Sequence, residues 1–210
     1  YASGEGVDVD LDASRLWAKK ASKLGNARAM RSFAIFLLAE DETKKALKMY
    51  QDAASKGDTP SMIELSRIYA GGEHVAKDQK KALKWLELAA SNGSAEAMVR
   101  LVENYSGDGQ TIDGLKPNYE ASEKWAGKLA EVGRTEGHYY LGVIFRDRDD
   151  GKRDYAKSYL MFSKSANSGN PSAMKNISML YKSGGPGLPK NKTLADHWHK
   201  LYVESRNNKQ

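Results

Sequence analysis

Four histidines, His74, His138, His197 and His199, are the only imidazoles in the 210 residues, and there is no cysteine. Without thiols the chain cannot be a disulfide scaffold, a thiolate metal site, a cysteine nucleophile or an iron–sulfur protein. His197 and His199 stand two apart, which on a helix directs them about 200° from each other, so they do not clamp one metal ion. Serines are abundant, but no Gly-x-Ser-x-Gly elbow marks one as a nucleophile, and no cofactor is expected. Gly184-Gly-Pro-Gly187 lacks the Gly-Lys-Ser/Thr that would make it a phosphate loop, and it reads as a turn. Asp108 and Asp113 sit among glycines in the stretch 107–117. They lack the twelve-residue calcium pattern with its terminal glutamate, so turn formation accounts for them.

Charge is just as unspecific. Thirty-three Lys and Arg against 27 Asp and Glu give a net charge of +6 and a pI near 9.2, a balance that attracts acidic partners. Lysines 19, 20, 23, 44, 45, 48, 80, 81 and 84 are interleaved with Asp12, Asp52 and Glu87, the pattern of a solvated helix face. No aromatic-basic ribonucleoprotein motif accompanies them, so no nucleic acid partner is expected. Mean hydropathy is −0.67. The longest apolar stretch, Phe33 to Ala39, falls far short of the roughly 20 residues of a membrane span. The sequons at Asn104 and Asn176 fall inside expected helices and read as accidental; a third begins at Asn191.

What positions these groups is a repeat. Gly25, Gly57, Gly93, Gly133 and Gly169 are separated by 32, 36, 40 and 36 residues. Five residues after each stand Met30, Met62, Met98, His138 and Met174; twelve after stand Leu37, Tyr69, Tyr105, Phe145 and Tyr181. Eight before stand Trp17, Met49, Trp85, Trp125 and Met161, and Trp198 opens a sixth copy. In the clearest copy Met62, Leu65, Ile68 and Tyr69 share one helical face, which predicts an amphipathic helix A ended by Gly71-Gly72. Asp78 then caps a helix B with Ala82, Trp85, Leu86 and Ala89 on its apolar face, and this pattern predicts Trp85 as a large buried side chain. Equivalent capping positions hold Asp10, Glu42, Asn118, Asp154 and Asn191. A two-helix unit of this size cannot bury both faces alone, so the copies must stack.

The expected fold is therefore all-α, a right-handed α/α superhelical solenoid of about five to six two-helix repeats in one domain, 1–206. Its parts are a partial repeat 1–25, repeats 26–57, 58–93, 94–133 and 134–169, a C-terminal repeat 170–206 and a polar tail 207–210. Tyr1 to Asp10 repeats the step from Tyr69 to Asp78, so the chain is expected to begin inside a repeat of a longer array.

Tyr1-Ala-Ser-Gly-Glu-Gly-Val with Asp10 and Trp17-Ala-Lys-Lys-Ala21, and Tyr69 through Asp78 to Trp85-Leu-Glu-Leu-Ala-Ala90 with Gly93, resemble the Sel1-like repeat family, relatives of the tetratricopeptide repeats. The resemblance covers nearly the whole chain. It implies a non-enzymatic adaptor that binds a protein or peptide, such as a bacterial immunity protein facing a toxic effector or an envelope regulator of a membrane sensor. It also implies a bacterial periplasmic or cytoplasmic location. Oligomeric state is left open between a monomer and a weak homo-oligomer, because a half-repeat at each end is expected to expose apolar surface that can pair with another copy. By the same geometry, helix-A residues outside the A-to-B core line the concave surface: Arg28, Arg31, Ile35 and Leu38; Ile63 and Arg67; Glu96, Val99 and Glu103; Glu136, Tyr139, Val143 and Arg146; Lys175, Met179 and Lys182. The longer loop 107–117, with Asp108 and Asp113, is the second expected contact region. The rival expectation is a small-ligand or hydrolytic site in the groove, built around His138 or Glu103.

Overall fold

The computed structural model describes residues 10–107, 112 and 114–207. Residues 1–9 of the opening partial repeat, Asp108 and Asp113 lie outside the described residues. Eleven α-helices occur among those described: α1 (Leu11–Lys23), α2 (Ala27–Ala39), α3 (Thr43–Ser55), α4 (Thr59–Gly71), α5 (Gln79–Ser91), α6 (Ala95–Ser106), α7 (Tyr119–Glu131), α8 (Glu136–Asp147), α9 (Tyr155–Asn167), α10 (Pro171–Ser183) and α11 (Lys192–Asn207). Even-numbered helices are helix A of their repeat and odd-numbered ones helix B. There is no β-strand among the described residues, only an isolated bridge between Gly185 and Leu188. The chain divides into two compact units, one of residues 1–97 with 110–114, the other of 98–109 with 115–210.

Side-chain caps start nearly every helix B. The carboxylate or amide oxygens of Asp10, Asp78, Asn118, Asp154 and Asn191 accept the backbone N–H three residues on, at 2.8–3.0 Å. Glu42 is the exception: its longer side chain makes no cap and pairs with Lys45 instead. The reference glycines end the helices as the spacing predicts, with φ of +79° to +85°, a left-handed turn that a Cβ would strain.

The A-to-B loops differ in length yet close with one bond. The backbone N–H of the capping residue donates to the carbonyl of the residue twelve past the glycine: Glu42 to Leu37, Asp78 to Tyr69, Asn118 to Tyr105, Asp154 to Phe145 and Asn191 to Tyr181, at 2.7–2.9 Å. In the shortest loop Asp41 takes the left-handed turn, with φ of +57°. The closing bond is thus the same whatever the length of the loop.

Within a repeat, helices A and B meet at small residues. Nine past the glycine and eleven before the next (before Arg206 in the last copy, which lacks the glycine), the equivalent positions hold Ala34 and Ala46, Ser66 and Ala82, Val102 and Ser122, Gly142 and Ser158, and Ser178 and Ala195. In the last three pairs a serine hydroxyl donates across the contact to a helix carbonyl, at 3.0, 2.7 and 2.8 Å. A Cβ on Gly142 would stand 2.5 Å from the Phe162 ring, and one on Gly137 would stand 2.4 Å from the Ala130 backbone nitrogen. Only glycine permits that approach.

The large core side chains follow from this contact and, Trp125 apart, they are not the tryptophans. Tyr50, Leu86, Ala126 and Phe162, seven before the glycine, are at most 1% exposed. The residue one earlier turns to the flank of helix B: Trp17 is 55% exposed, Trp85 and Trp198 are half-buried, and Trp125 alone is buried. The expectation of Trp85 as a large buried side chain is corrected by one position, about 100° of helix rotation. Leu86→Ala is accordingly expected to cost about 2–5 kcal/mol in chemical denaturation, and Trp85→Ala less. The reverse order would contradict this packing.

Candidate interaction surface

The projected surface residues can be located one by one, within each unit separately. In the first, Ile35 is 55% exposed, Arg28 and Arg67 are exposed, and Leu38 is half-buried. Ile63 is 7% exposed, so it packs and does not present a contact surface. Arg31 reaches from α2 to α4, where its Nε donates to Asp58 at 3.0 Å. Asp58 also caps α4 by accepting from the Ser61 N–H at 3.0 Å and its hydroxyl at 2.5 Å. Arg31 thus ties successive A helices together. Arg67 pairs along its own helix with Glu64 at 2.9 Å.

In the second unit two polar links of the same kind join successive A helices. Glu103 on α6 accepts from the Tyr140 hydroxyl on α8 at 3.0 Å. Burial and the neighbouring Glu103 push the Tyr140 phenol well above its usual value, so it stays a donor. Arg146 on α8 donates to the Asn176 amide oxygen on α10 and forks onto Asp147 at 2.6 and 2.5 Å. Tyr139 and Val143 are half-buried against the core around Phe162, with ring centroids of Tyr139 and Phe162 5.7 Å apart. Val99 is half-buried, while Lys175, Lys182 and Met179 are exposed, Met179 to 50%.

Three projected residues, Arg146, Met179 and Lys182, line one cleft of about 540 Å³ between the C-terminal ends of α8 and α10. Its other walls include Tyr155 and Arg153, which the sequence reading did not single out. Tyr155 is clamped: a Cβ on Gly185 would fall 2.3 Å from its ring, and its N–H donates to the Pro186 carbonyl at 2.8 Å.

Arg153 is carried by the loop 148–154, held by Arg148. That guanidinium is 4% exposed, chelated by Asp150 at 2.7 and 2.6 Å, paired with Glu123 of α7 and set 5.5 Å over the Tyr119 ring. Arg153 hangs from the carbonyls of Arg148 and Asp147 at 3.3 and 3.5 Å. Arg-Asp-Arg-Asp-Asp-Gly-Lys-Arg-Asp reads in sequence as a solvated charge run; only the fold shows which arginine is interior.

His138 lies elsewhere in the second unit. It shares a cleft of about 390 Å³ with Arg134, Thr135, Lys164, Asn167 and Ser168. Burial, with the Lys164 charge, lowers its pKa and favours the neutral imidazole. No carboxylate lines this cleft, and Glu103 is not in it. Among the described residues no group of three or more His, Cys, Asp or Glu is placed to hold a metal ion.

The Sel1 repeat model matches residues 1–26, 38–58, 59–94, 95–133, 135–170 and 171–201. The chain belongs to the Sel1 repeat family. Its fold is all-α, built from the helix pairs of that repeat solenoid. The chain is similar to a Sel1 repeat protein from Oxalobacter formigenes, with TM-score 0.75 and 24% identity, over 93% of this chain and 57% of that one. It thus spans little more than half the length of that protein. A likeness to MamA has TM-score 0.55 at 16% identity, over 87% of this chain and 93% of that one. Likeness to the immunity protein PA5088 from Pseudomonas aeruginosa, at 19% identity over 96% and 76% of the two chains, has TM-score 0.46, too loose a fit to bear on function. A search of the curated proteins returned no match. Sel1 repeat proteins generally mediate protein–protein interaction. Among the described residues no helix is long and apolar enough to cross a membrane.

The Arg148 knot predicts a pH dependence. Hydrogen bonding and charge from Arg148 hold the Asp150 carboxyl at about 2, below its unfolded value, so its stabilisation is present above about pH 4. It is lost as the pH falls toward 2. Asp150→Asn should therefore lower the thermal midpoint near neutrality, and the gap to the native chain should close between about pH 4 and 2. A gap that stays constant over that range would contradict the assignment.

Proposed function

We infer that this chain is a non-enzymatic adaptor that recognises a protein or peptide partner through exposed faces of its A helices, acting by occupancy and not by chemistry. The observation that carries the reading is the cleft between α8 and α10, where Arg146, Met179 and Lys182 from two successive A helices meet beside Tyr155. Exposed apolar side chains bordered by charge are what a partner needs: the apolar groups supply affinity and the charges fix register. Ile35 on α2 offers a smaller exposed apolar contact in the first unit. The loop 107–117, with Asp108 and Asp113, is a further contact region in this reading. An inhibitor of a toxic effector and a regulator of an envelope sensor are its two sharper forms, and both work by covering a surface. The repeat family, whose members generally bind proteins, supports the same class.

A hydrolytic or small-ligand site at His138 is the competing reading. Its cleft supplies a neutral imidazole but no carboxylate to orient it and no hydroxyl aligned on it.

Affinity capture from the native source, with Met179→Glu and Ile35→Glu compared separately against the native chain, tests the adaptor reading. The expected result is a specific protein retained by the native chain and lost with at least one variant at unchanged melting temperature. Retention by both variants, or ester or phosphate hydrolysis abolished by His138→Ala, would overturn it.

A further inference from the structure

We propose that the cleft between α8 and α10 is an acidic-peptide site, taking a segment that presents a carboxylate beside a bulky apolar side chain. This rests on the adaptor reading and names the chemistry of its partner. The charges decide it. Of the three cations on the walls, Arg146 is neutralised by its fork onto Asp147. Arg153 donates only to backbone carbonyls, and Lys182 has no ion pair among the described residues. Among the described residues, two positive charges thus face the cleft without a carboxylate of their own, and Asp147 is the only acid on its walls. A partner's carboxylate placed between them gains charge-assisted hydrogen bonds at little reorganisation, because the Arg148 knot already fixes the loop that carries Arg153.

The floor decides the rest. Met179, half exposed, and the clamped Tyr155 ring give one flexible and one rigid apolar wall, in a volume of about 540 Å³ that suits a leucine- or phenylalanine-sized anchor with its neighbours. A nucleic acid strand needs a track of cations and a series of stacking platforms. Here one tyrosine and two cations sit in a single local cleft, with neither a track nor a series. The chemistry favours a peptide.

Selective ¹³C-methyl labelling of methionine in the full chain reads this site directly, because Met179 lies in the cleft and the other six methionines serve as controls. The probe is a capped peptide alternating Asp or Glu with Leu and Phe; its Asn/Gln counterpart and a single-stranded oligonucleotide are the comparisons. The Met179 methyl signal should shift saturably with the acidic peptide, at least about tenfold more weakly in an Arg153→Glu/Lys182→Glu variant of unchanged melting temperature, and more weakly at high salt. Equal shifts from the amide peptide, no Met179 shift at millimolar peptide, or a response to the oligonucleotide in place of the peptide would overturn the proposal. The two readings fail separately. If a captured partner is lost with Met179→Glu but kept by Arg153→Glu/Lys182→Glu, the adaptor stands and the acidic site falls; if both variants keep it, the cleft has no part in capture.

Discussion

The contact of helix A with helix B through a pair of small side chains is the constraint on which the remaining structure depends. Two helices whose axes come close need a small side chain on at least one side of the crossing. This chain supplies Ala34 with Ala46, Ser66 with Ala82, Val102 with Ser122, Gly142 with Ser158, and Ser178 with Ala195. In three of the five pairs a serine hydroxyl spans the gap to a carbonyl of the other helix, so the contact there is both close and oriented; the buried Ser66 hydroxyl has no hydrogen-bond partner among the described residues. Fixing that point fixes the rotation of both helices about their axes. One turn away on helix B the side chain that enters the core is then Tyr50, Leu86 or Phe162, and its neighbour in sequence is turned aside.

The same rotation decides what is left for function. With one stripe of helix A committed to helix B, the adjoining stripe carries the polar links between successive A helices, Arg31 to Asp58, Glu103 to Tyr140 and Arg146 to Asn176. Several side chains projected as contact residues are thereby engaged inside the protein. Those that remain outward, chiefly Ile35, Met179 and Lys182, are few and local. In the proposed reading, recognition of a partner depends on one notch more than on a continuous apolar strip, and the notch borrows two walls, Arg153 and Tyr155, from the following helix B and its loop.

The sequence carried the helices, their order and their ends plainly, because each end is marked by a glycine or a capping side chain whose chemistry is local. Family membership followed from the same marks. Depth was harder to read. Trp85 and Leu86 are adjacent and both apolar, and which of them faces helix A depends on where Ser66 meets Ala82, a non-local fact. Ile63 looked like a surface residue by register and is buried. Arg148 was invisible as an interior group, since a charge run offers no sign of which member finds Asp150 and Glu123 around it. The cleft walls contributed by Arg153 and Tyr155 lie outside the helix-A register altogether, so no projection along that register reaches them.

The claim that small-residue contact sets the rotation of each helix pair is tested most directly by a double-mutant cycle on α8 and α9. Gly142→Ala places a Cβ against the Phe162 ring, and Phe162→Leu withdraws much of that ring. Measured by denaturant unfolding, Gly142→Ala should destabilise strongly beside Phe162 and much less beside leucine, a coupling of about 0.5–3 kcal/mol between the two sites. Strict additivity of the two substitutions would mean that the helices do not meet there and that something else sets the register.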